Sequence, residues 1–338
     1  MSTKKNEEQK KCKIACFVKI AGIVFFVAGL LIAAACYYTL YVTTKPAEYL
    51  APPAYNPAPG KNDFKITVFG DWMLHEGAIE KIAAESQQRN AAFAVCLGDF
   101  VHPAQPSIMK VAAKKLKKHF KIPVYATPGN HDVYNAEDAA GFAAVFGNVN
   151  NCFSYGDTLF ILLESAKVGL TDEQLQFLKF VLTNERPKYS RCVVFSHVPP
   201  VTIPEFDKPK YRLKKETAEK YLKILEEGNV DLLVCGHVHH EMNIQLGKTR
   251  LLVCPPSGQG SRNKKNPQFG SLQLHFMPDG SIKHEFVYCG TEVKGTGFEK
   301  FLYRRLNQRA IFFSIALALI IAGGTCLYLG IPKNKKSE

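Results

Sequence analysis

Five times along the chain a short apolar run ends in a loop that carries oxygen or imidazole ligands. They are Gly70-Asp71, Gly98-Asp99, Gly129-Asn130-His131-Asp132, Ser196-His197 and Gly236-His237-Val238-His239. Short apolar runs closed by glycine or polar residues read as buried strands. Loops at the carboxyl ends of such strands can converge on one crevice of an open α/β sheet. Carboxylate and amide oxygens mixed with neutral imidazoles suit manganese, iron or zinc rather than calcium. The five segments together therefore predict one site for a pair of metal ions, which no single segment would justify.

Between these loops the period alternates. Strand-like runs at 66–69, 93–97, 124–126, 159–163, 192–195 and 232–235 are separated by helical patterns at 76–88, up to 120, and around 217–227. Thr171-Asp172-Glu173-Gln174 is a capping box that opens a further helix carrying Leu175, Leu178 and Leu182. That rhythm predicts an α/β core. Gly247-Lys248 and Asp279-Gly280 are read as hairpin turns closing a second sheet.

Order and spacing of the ligand segments resemble the calcineurin-like metallophosphoesterase superfamily, and the resemblance covers about residues 64 to 288. It implies a four-layer α/β/β/α sandwich of two mixed sheets. It also implies two divalent or mixed-valence ions (Mn, Fe or Zn), with Asp99 as the bridging carboxylate. Asn130, His197 and His237 would complete one metal site, and Asp71 and His239 would belong to the other. Family members usually place a histidine two residues after the first aspartate, where this chain has Met73, a soft thioether. Gly70-Asp71-Trp72 is instead similar to the purple acid phosphatase branch, in which a tyrosine three residues beyond the second aspartate takes over. The equivalent position here is His102, the expected substitute ligand, with His75 as its rival. His131 is expected as general acid and Asp132 as the group that orients its ring.

The two ends are of another kind. No residue from Ile20 to Val42 is charged, and a second charge-free run spans 310–332. Either is long enough to cross a ~30 Å hydrocarbon layer as a helix, and neither shows the polar face of a globular helix. The expected organisation is a basic tail (1–19), a transmembrane helix (20–42), a proline-rich linker (43–62) and the metallophosphoesterase domain (63–290). A juxtamembrane segment (291–309), a second transmembrane helix (310–332) and a basic tail (333–338) follow. Lys4, Lys5, Lys10, Lys11, Lys13 and Lys19 precede the first run while only Lys45 follows closely, which places both termini in the cytoplasm and the domain outside. Ala33-Ala34-Ala35-Cys36 hints at a cleaved leader, but the run stays apolar through Val42, as a retained anchor would. Cys96, Cys192, Cys235 and Cys254 sit in strand-like runs as small core residues, with no disulfide framework suggested.

A net charge of +13 invites a nucleic-acid reading. The lysines 110, 114, 115, 117, 118 and 121, however, share a helical segment whose Val111, Ala112, Leu116 and Phe120 form an apolar stripe, so they make a solvated face. No nucleic-acid partner is expected. The sequence thus predicts a membrane-anchored phosphoesterase that cleaves mono- or diesters by attack of a metal-bound hydroxide on a lipid or a bilayer-proximal metabolite. The alternatives are a UDP-diacylglucosamine pyrophosphatase of lipid A synthesis, which would need a cytoplasmic site, and an idle phosphate-binding module. The sequence does not address oligomeric state.

Overall fold

The structure is a computed structural model that describes residues 2–44, 60–101, 106–133, 139–167, 169–202, 208–258, 260–263, 265, 268–290 and 309–329. These fall into two units, one formed by the terminal helices and the other lying within residues 46–297.

The larger unit holds strands β1 (Phe64–Phe69), β2 (Phe93–Cys96), β3 (Val124–Ala126), β4 (Asn151–Tyr155), β5 (Thr158–Leu163), β6 (Arg191–Ser196), β7 (Leu232–Cys235), β8 (Met242–Leu246), β9 (Thr249–Val253), β10 (Phe269–Phe276) and β11 (Ile282–Gly290). One sheet has the order β11-β10-β1-β2-β3 and the other β4-β5-β6-β7-β9-β8. Strands β1, β2 and β3 are parallel, as are β5, β6, β7 and β9. In β5, Leu159, Ile161 and Leu163 face one core while Phe160 and Leu162 face the other. Burial on both faces explains why the sequence there is a continuous apolar run rather than an alternating one.

The inter-sheet core is aromatic, with Phe93 edge-on to Phe160 at 5.2 Å and Phe64 stacked on Phe276 at 4.5 Å. Helices α2 (Glu76–Gln88) and α3 (Pro106–His119) belong to the first sheet's half, and α4 (Ala140–Phe146) packs on α3. Helices α5 (Asp172–Asn184) and α6 (Lys215–Glu227) bury Leu175, Leu178, Tyr221 and Leu225 against the second sheet. This is the expected four-layer sandwich. The capping box of α5 forms in full, with Thr171 Oγ1 accepting from Gln174 N and Gln174 Oε1 accepting from Thr171 N.

Register sets the height of the loops. Phe69 pairs with Cys96 and Cys96 with Ala126, so three loops of the first sheet leave its edge at one level. In the second sheet Phe195 pairs with Val234, which brings the loops after β6 and β7 out together. The hairpins depart from expectation in one respect. β8–β9 extends the second sheet, but β10–β11 joins the first, on the outer side of β1.

In the other unit, α1 (Ser2–Thr44) is one continuous helix that includes the lysine-rich residues read as a tail, and α7 (Arg309–Leu329) packs on it. Glycines set the closeness of that packing. A Cβ on Gly323 would lie 2.6 Å from Phe26 N, and one on Gly29 would lie 2.8 Å from Ala316 O. Both helices are long and apolar enough to cross a membrane. Residues 45–59 and 291–308, read as linker and juxtamembrane segment, lie outside the described residues.

Candidate metal centre

Backbone bonds between neighbouring strand ends tie the ligand-bearing loops together. Asp71 N–H donates to Gly98 O at 3.0 Å and Met73 N–H to Asp99 O at 3.0 Å, which ties the loops after β1 and β2. Gly236 N–H donates to His197 O at 2.9 Å, tying those after β6 and β7. Ser257 fastens the first loop from behind, because its Oγ accepts from Gly70 N and donates to Gly270 O.

These turns are strained. Among the described residues, eight non-glycine residues have positive φ, and six of them (Asp71, Met73, Leu74, Asp99, His237 and His239) lie in these loops. The other two are Asn90 and Asn229, a residue type that tolerates that region. Left-handed strain costs on the order of 1 kcal/mol per residue or more, and it persists only where the surroundings over-determine it. Gly129 shows how tight the space is, since a Cβ there would lie 2.3 Å from Asp99 Oδ1.

The side chains converge. Ligand atoms of Asp71, Asp99 and His197, all buried, lie within 4.8 Å of one another. His197 Nε2 is 3.1 Å from Asn130 Oδ1, 3.2 Å from His237 Nδ1 and 3.5 Å from Asp99 Oδ1. His239 Nε2 is 3.3 Å from Asp71 Oδ1.

The outer nitrogens decide the tautomers, because a carbonyl can only accept. His197 Nδ1 donates to Leu97 O at 2.6 Å, His237 Nε2 to Lys210 O at 2.8 Å and His239 Nδ1 to Gly260 O at 3.2 Å. Each inner nitrogen is therefore a lone pair, and it faces a carboxylate, an amide oxygen or another lone pair. Asp71 Oδ1, buried, accepts no hydrogen bond. Acceptors packed against acceptors repel unless a cation lies between them, and an imidazole that donates its far N–H to a carbonyl is the usual setting of a metal ligand. The residues present fit a metal pair of the predicted kind.

Residues 64–241 match the profile of the calcineurin-like phosphoesterases. The chain belongs to that family. It is accordingly a metal-dependent phosphoester hydrolase, in a family whose members use two metals. Similar proteins include CpdA of Haemophilus influenzae, a 3′,5′-cyclic adenosine monophosphate phosphodiesterase, at 26% identity over 226 residues covering 62% of this chain and 80% of that protein. Among solved structures, the yellow lupin purple acid phosphatase PPD1 superposes with a TM-score of 0.56 at 15% identity, over 69% of this chain and 54% of that one, so the chain spans about half that enzyme's length. GAP50 of Plasmodium superposes with a TM-score of 0.53 at 15% identity, over 75% of this chain and 95% of that one.

Burial sets the electrostatics of this calcineurin-like site. It pushes the Asp99 carboxyl well above its usual range, and the neighbouring Asp71 adds to the effect. The same desolvation lowers His197, and it lowers His237 to about 4, so both imidazoles are neutral and can act as ligands at pH 7. Asp132 is also buried, and its oxygens accept from the backbone N–H groups of Phe100, Val101 and Gly129 at 2.8, 3.2 and 2.8 Å. The sequence expected Asp132 beside the His131 ring; its described hydrogen bonds pin the second and third ligand loops together. His131 N–H donates to Asp99 Oδ1 at 2.9 Å, and its side chain is 36% exposed where those of Asp99 and His197 are 2% and 0%.

His102 lies outside the described residues. His75 opens α2, with its ring 5.8 Å from that of Phe269. The carbonyls of Leu97, Lys210 and Gly260 leave no trace in a sequence, because every residue carries one.

Proposed function

We propose that Asp71, Asp99, Asn130, His197, His237 and His239 hold two divalent cations, Asp99 between them, and that the chain hydrolyses phosphomonoesters or diesters while anchored in a bilayer by α1 and α7. One observation carries the reading: three imidazoles, each fixed by a carbonyl, turn their free nitrogens onto one another and onto the oxygens of Asp71, Asp99 and Asn130, so that lone pairs meet lone pairs. A bound cation pair would supply Lewis-acid neutralisation of phosphoryl charge and an acidified water.

The protein's own residues supply the rest. Asp132 holds the His131 loop, and His131 is the one imidazole of the set open enough to hand a proton to the departing oxygen. His102, in the position of the purple acid phosphatase tyrosine, is proposed as a further ligand. The CpdA relatives, named for a cyclic diester, support diester cleavage. The lysine asymmetry about the first helix supports cytoplasmic termini with the domain outside, and disfavours a substrate confined to the cytoplasm.

The test is metal content and turnover of the full chain in detergent, on p-nitrophenyl phosphate and bis(p-nitrophenyl) phosphate. About two metal equivalents per chain are expected, with activity lost to a chelator and restored by manganese. Turnover that persists without metal, or in Asp99→Asn, would overturn the site.

A further inference from the structure

Two loops flank the His-x-His segment, and a stack of side chains joins them. One is the loop around the 3₁₀ turn Pro209–Tyr211, whose Lys210 carbonyl receives the His237 N–H at 2.8 Å. The other follows β9, where Gly260 O receives the His239 N–H and Arg262 N–H donates to His239 O at 2.8 Å. Above the histidines the Arg262 guanidinium lies 4.3 Å from the centroid of the Tyr211 ring, with Lys210 Nζ at 4.9 Å from the same ring. Tyr211 in turn is edge-on to His237, 6.3 Å between ring centroids. Arg262 spends one N–H on Val238 O at 2.9 Å.

Outside these two loops three of the four described arginines of the domain pair with carboxylates, and the fourth, Arg250, bonds Asn243 and His284. Elsewhere in the domain Arg89 pairs with Glu85 and Glu285, Arg186 with Asp231, and Arg191 with Asp157. Among the described residues no carboxylate pairs with Lys210, Arg212 or Arg262. A planar guanidinium held over an aromatic ring keeps its fork pre-organised, which is the form in which arginine recognises phosphate. A lysine beside it adds a point charge on the same ring.

We propose that Arg262, braced on Tyr211 and joined by Lys210, binds a second anionic group of the substrate, on the leaving side of the scissile phosphate. The preferred substrates are then phosphoesters or phosphoanhydrides whose departing group itself carries a phosphate. This rests on the metal-site reading above and adds specificity to it.

The change of a substrate ratio on mutation isolates that charge. In ADP the terminal phosphoryl leaves behind AMP by breaking an anhydride, whereas in AMP it leaves behind uncharged adenosine by breaking an ester, and the difference in bond strength cancels when the ratio of the two is compared between wild type and variant. With the full chain and manganese in excess over nucleotide, kcat/KM for ADP is expected to exceed that for AMP by about tenfold or more, carried by KM. Arg262→Ala should lower the ratio about tenfold, Arg262→Lys should lower it less, and Tyr211→Phe, which keeps the ring, should preserve it. If Arg262 merely pins the Val238 carbonyl, both substrates fall together and the ratio stays within about twofold of wild type; that result, or a wild type with no preference, overturns the proposal. Failure of the metal site shows separately, as nucleotide hydrolysis retained in Asp99→Asn.

Discussion

Strand β6 has a buried charge cluster at each end, and the two are built on opposite principles. At its start, Arg191 is 2% exposed and every nitrogen of its guanidinium donates. It pairs with Asp157 and donates to Thr158 Oγ1 at 3.1 Å, Met277 O at 2.9 Å and Asn62 O at 3.2 Å. The rings of Phe64 and Phe276 lie against it at 5.8 and 5.2 Å. At its finish, His197 presents a lone pair to Asn130 Oδ1, Asp99 Oδ1 and His237 Nδ1, none of which donates to it. Donors match acceptors in the first cluster, which therefore serves the fold by fastening the second sheet to the flanks of β1 and β10. Acceptors outnumber donors in the second, an imbalance that a bound cation would relieve. Burial and charge do not distinguish the two; the balance of donors does.

The largest effect comes from breaking the second cluster. Asp99→Asn should lower turnover about 10³-fold or more, the scale seen when a group that stabilises transition-state charge is removed. It should also raise the stability of the chelated protein by about 1 kcal/mol, because a function-bearing site is bought with like-charge crowding that the amide relieves. Thermal melts with and without chelator check the sign. A chelated variant less stable than chelated wild type would mean that the carboxylates hold the fold together rather than a metal.

That the second cluster could be read from the sequence at all follows from where it lies. Strands buried on both faces give apolar runs with abrupt ends, and the polar residues that follow, Asp71, Asp99, Asn130, His197, His237 and His239, must be the loops of one edge. The sandwich and the ligand set follow from that punctuation together with the family resemblance. Other features had no such mark. β4 (Asn151–Tyr155) is an edge strand with polar residues in its pattern, and its hairpin to β5 turns on Gly156-Asp157, a dipeptide that resembles the metal-loop signature. The hairpins β8–β9 and β10–β11 read alike, so which sheet each joins is settled only by tertiary pairing. Met73 looked like a missing ligand; with φ of 47° its backbone N–H serves Asp99 O, a contribution that depends on conformation rather than on the side chain. Asp132 reads only as a partner for its neighbour's ring, because nothing in the sequence marks that its oxygens also reach back to the loop after β2.

The first cluster predicts the intermediate effect. Arg191→Leu removes the only charge that faces Asp157 among the described ion pairs, and leaves the carbonyls of Asn62 and Met277 without that donor. Breaking such a pair from one side costs about 3 kcal/mol or more. Denaturant unfolding of the variant should show this loss, while metal content per folded chain stays that of wild type. Loss of metal in a folded Arg191→Leu protein would join the two ends of β6 in a way the balance of donors does not.

A third cluster lies between these extremes and should show the smallest effect. Glu76, in the first turn of α2, accepts from Lys115, from Lys118 at 2.6 Å and from His119 at 3.0 Å. Partial burial would raise its pKa, but the hydrogen bonds from Lys115, Lys118 and His119, with the charge of Lys115, outweigh that and hold it at about 2, against an ordinary 4.5. A depressed carboxylate contributes stability that is present above the unfolded value and is lost as pH falls through 4.5 toward 2. Solvent screens the cluster, since the Lys118 side chain is 67% exposed, so the contribution is about 1 kcal/mol. Glu76→Gln should therefore be less stable than wild type by about that much at pH 7, with the gap closing between pH 4.5 and 2 and shrinking in high salt. A gap independent of pH would show that the side chain acts through packing at the start of α2, and that its charge has no part in the fold.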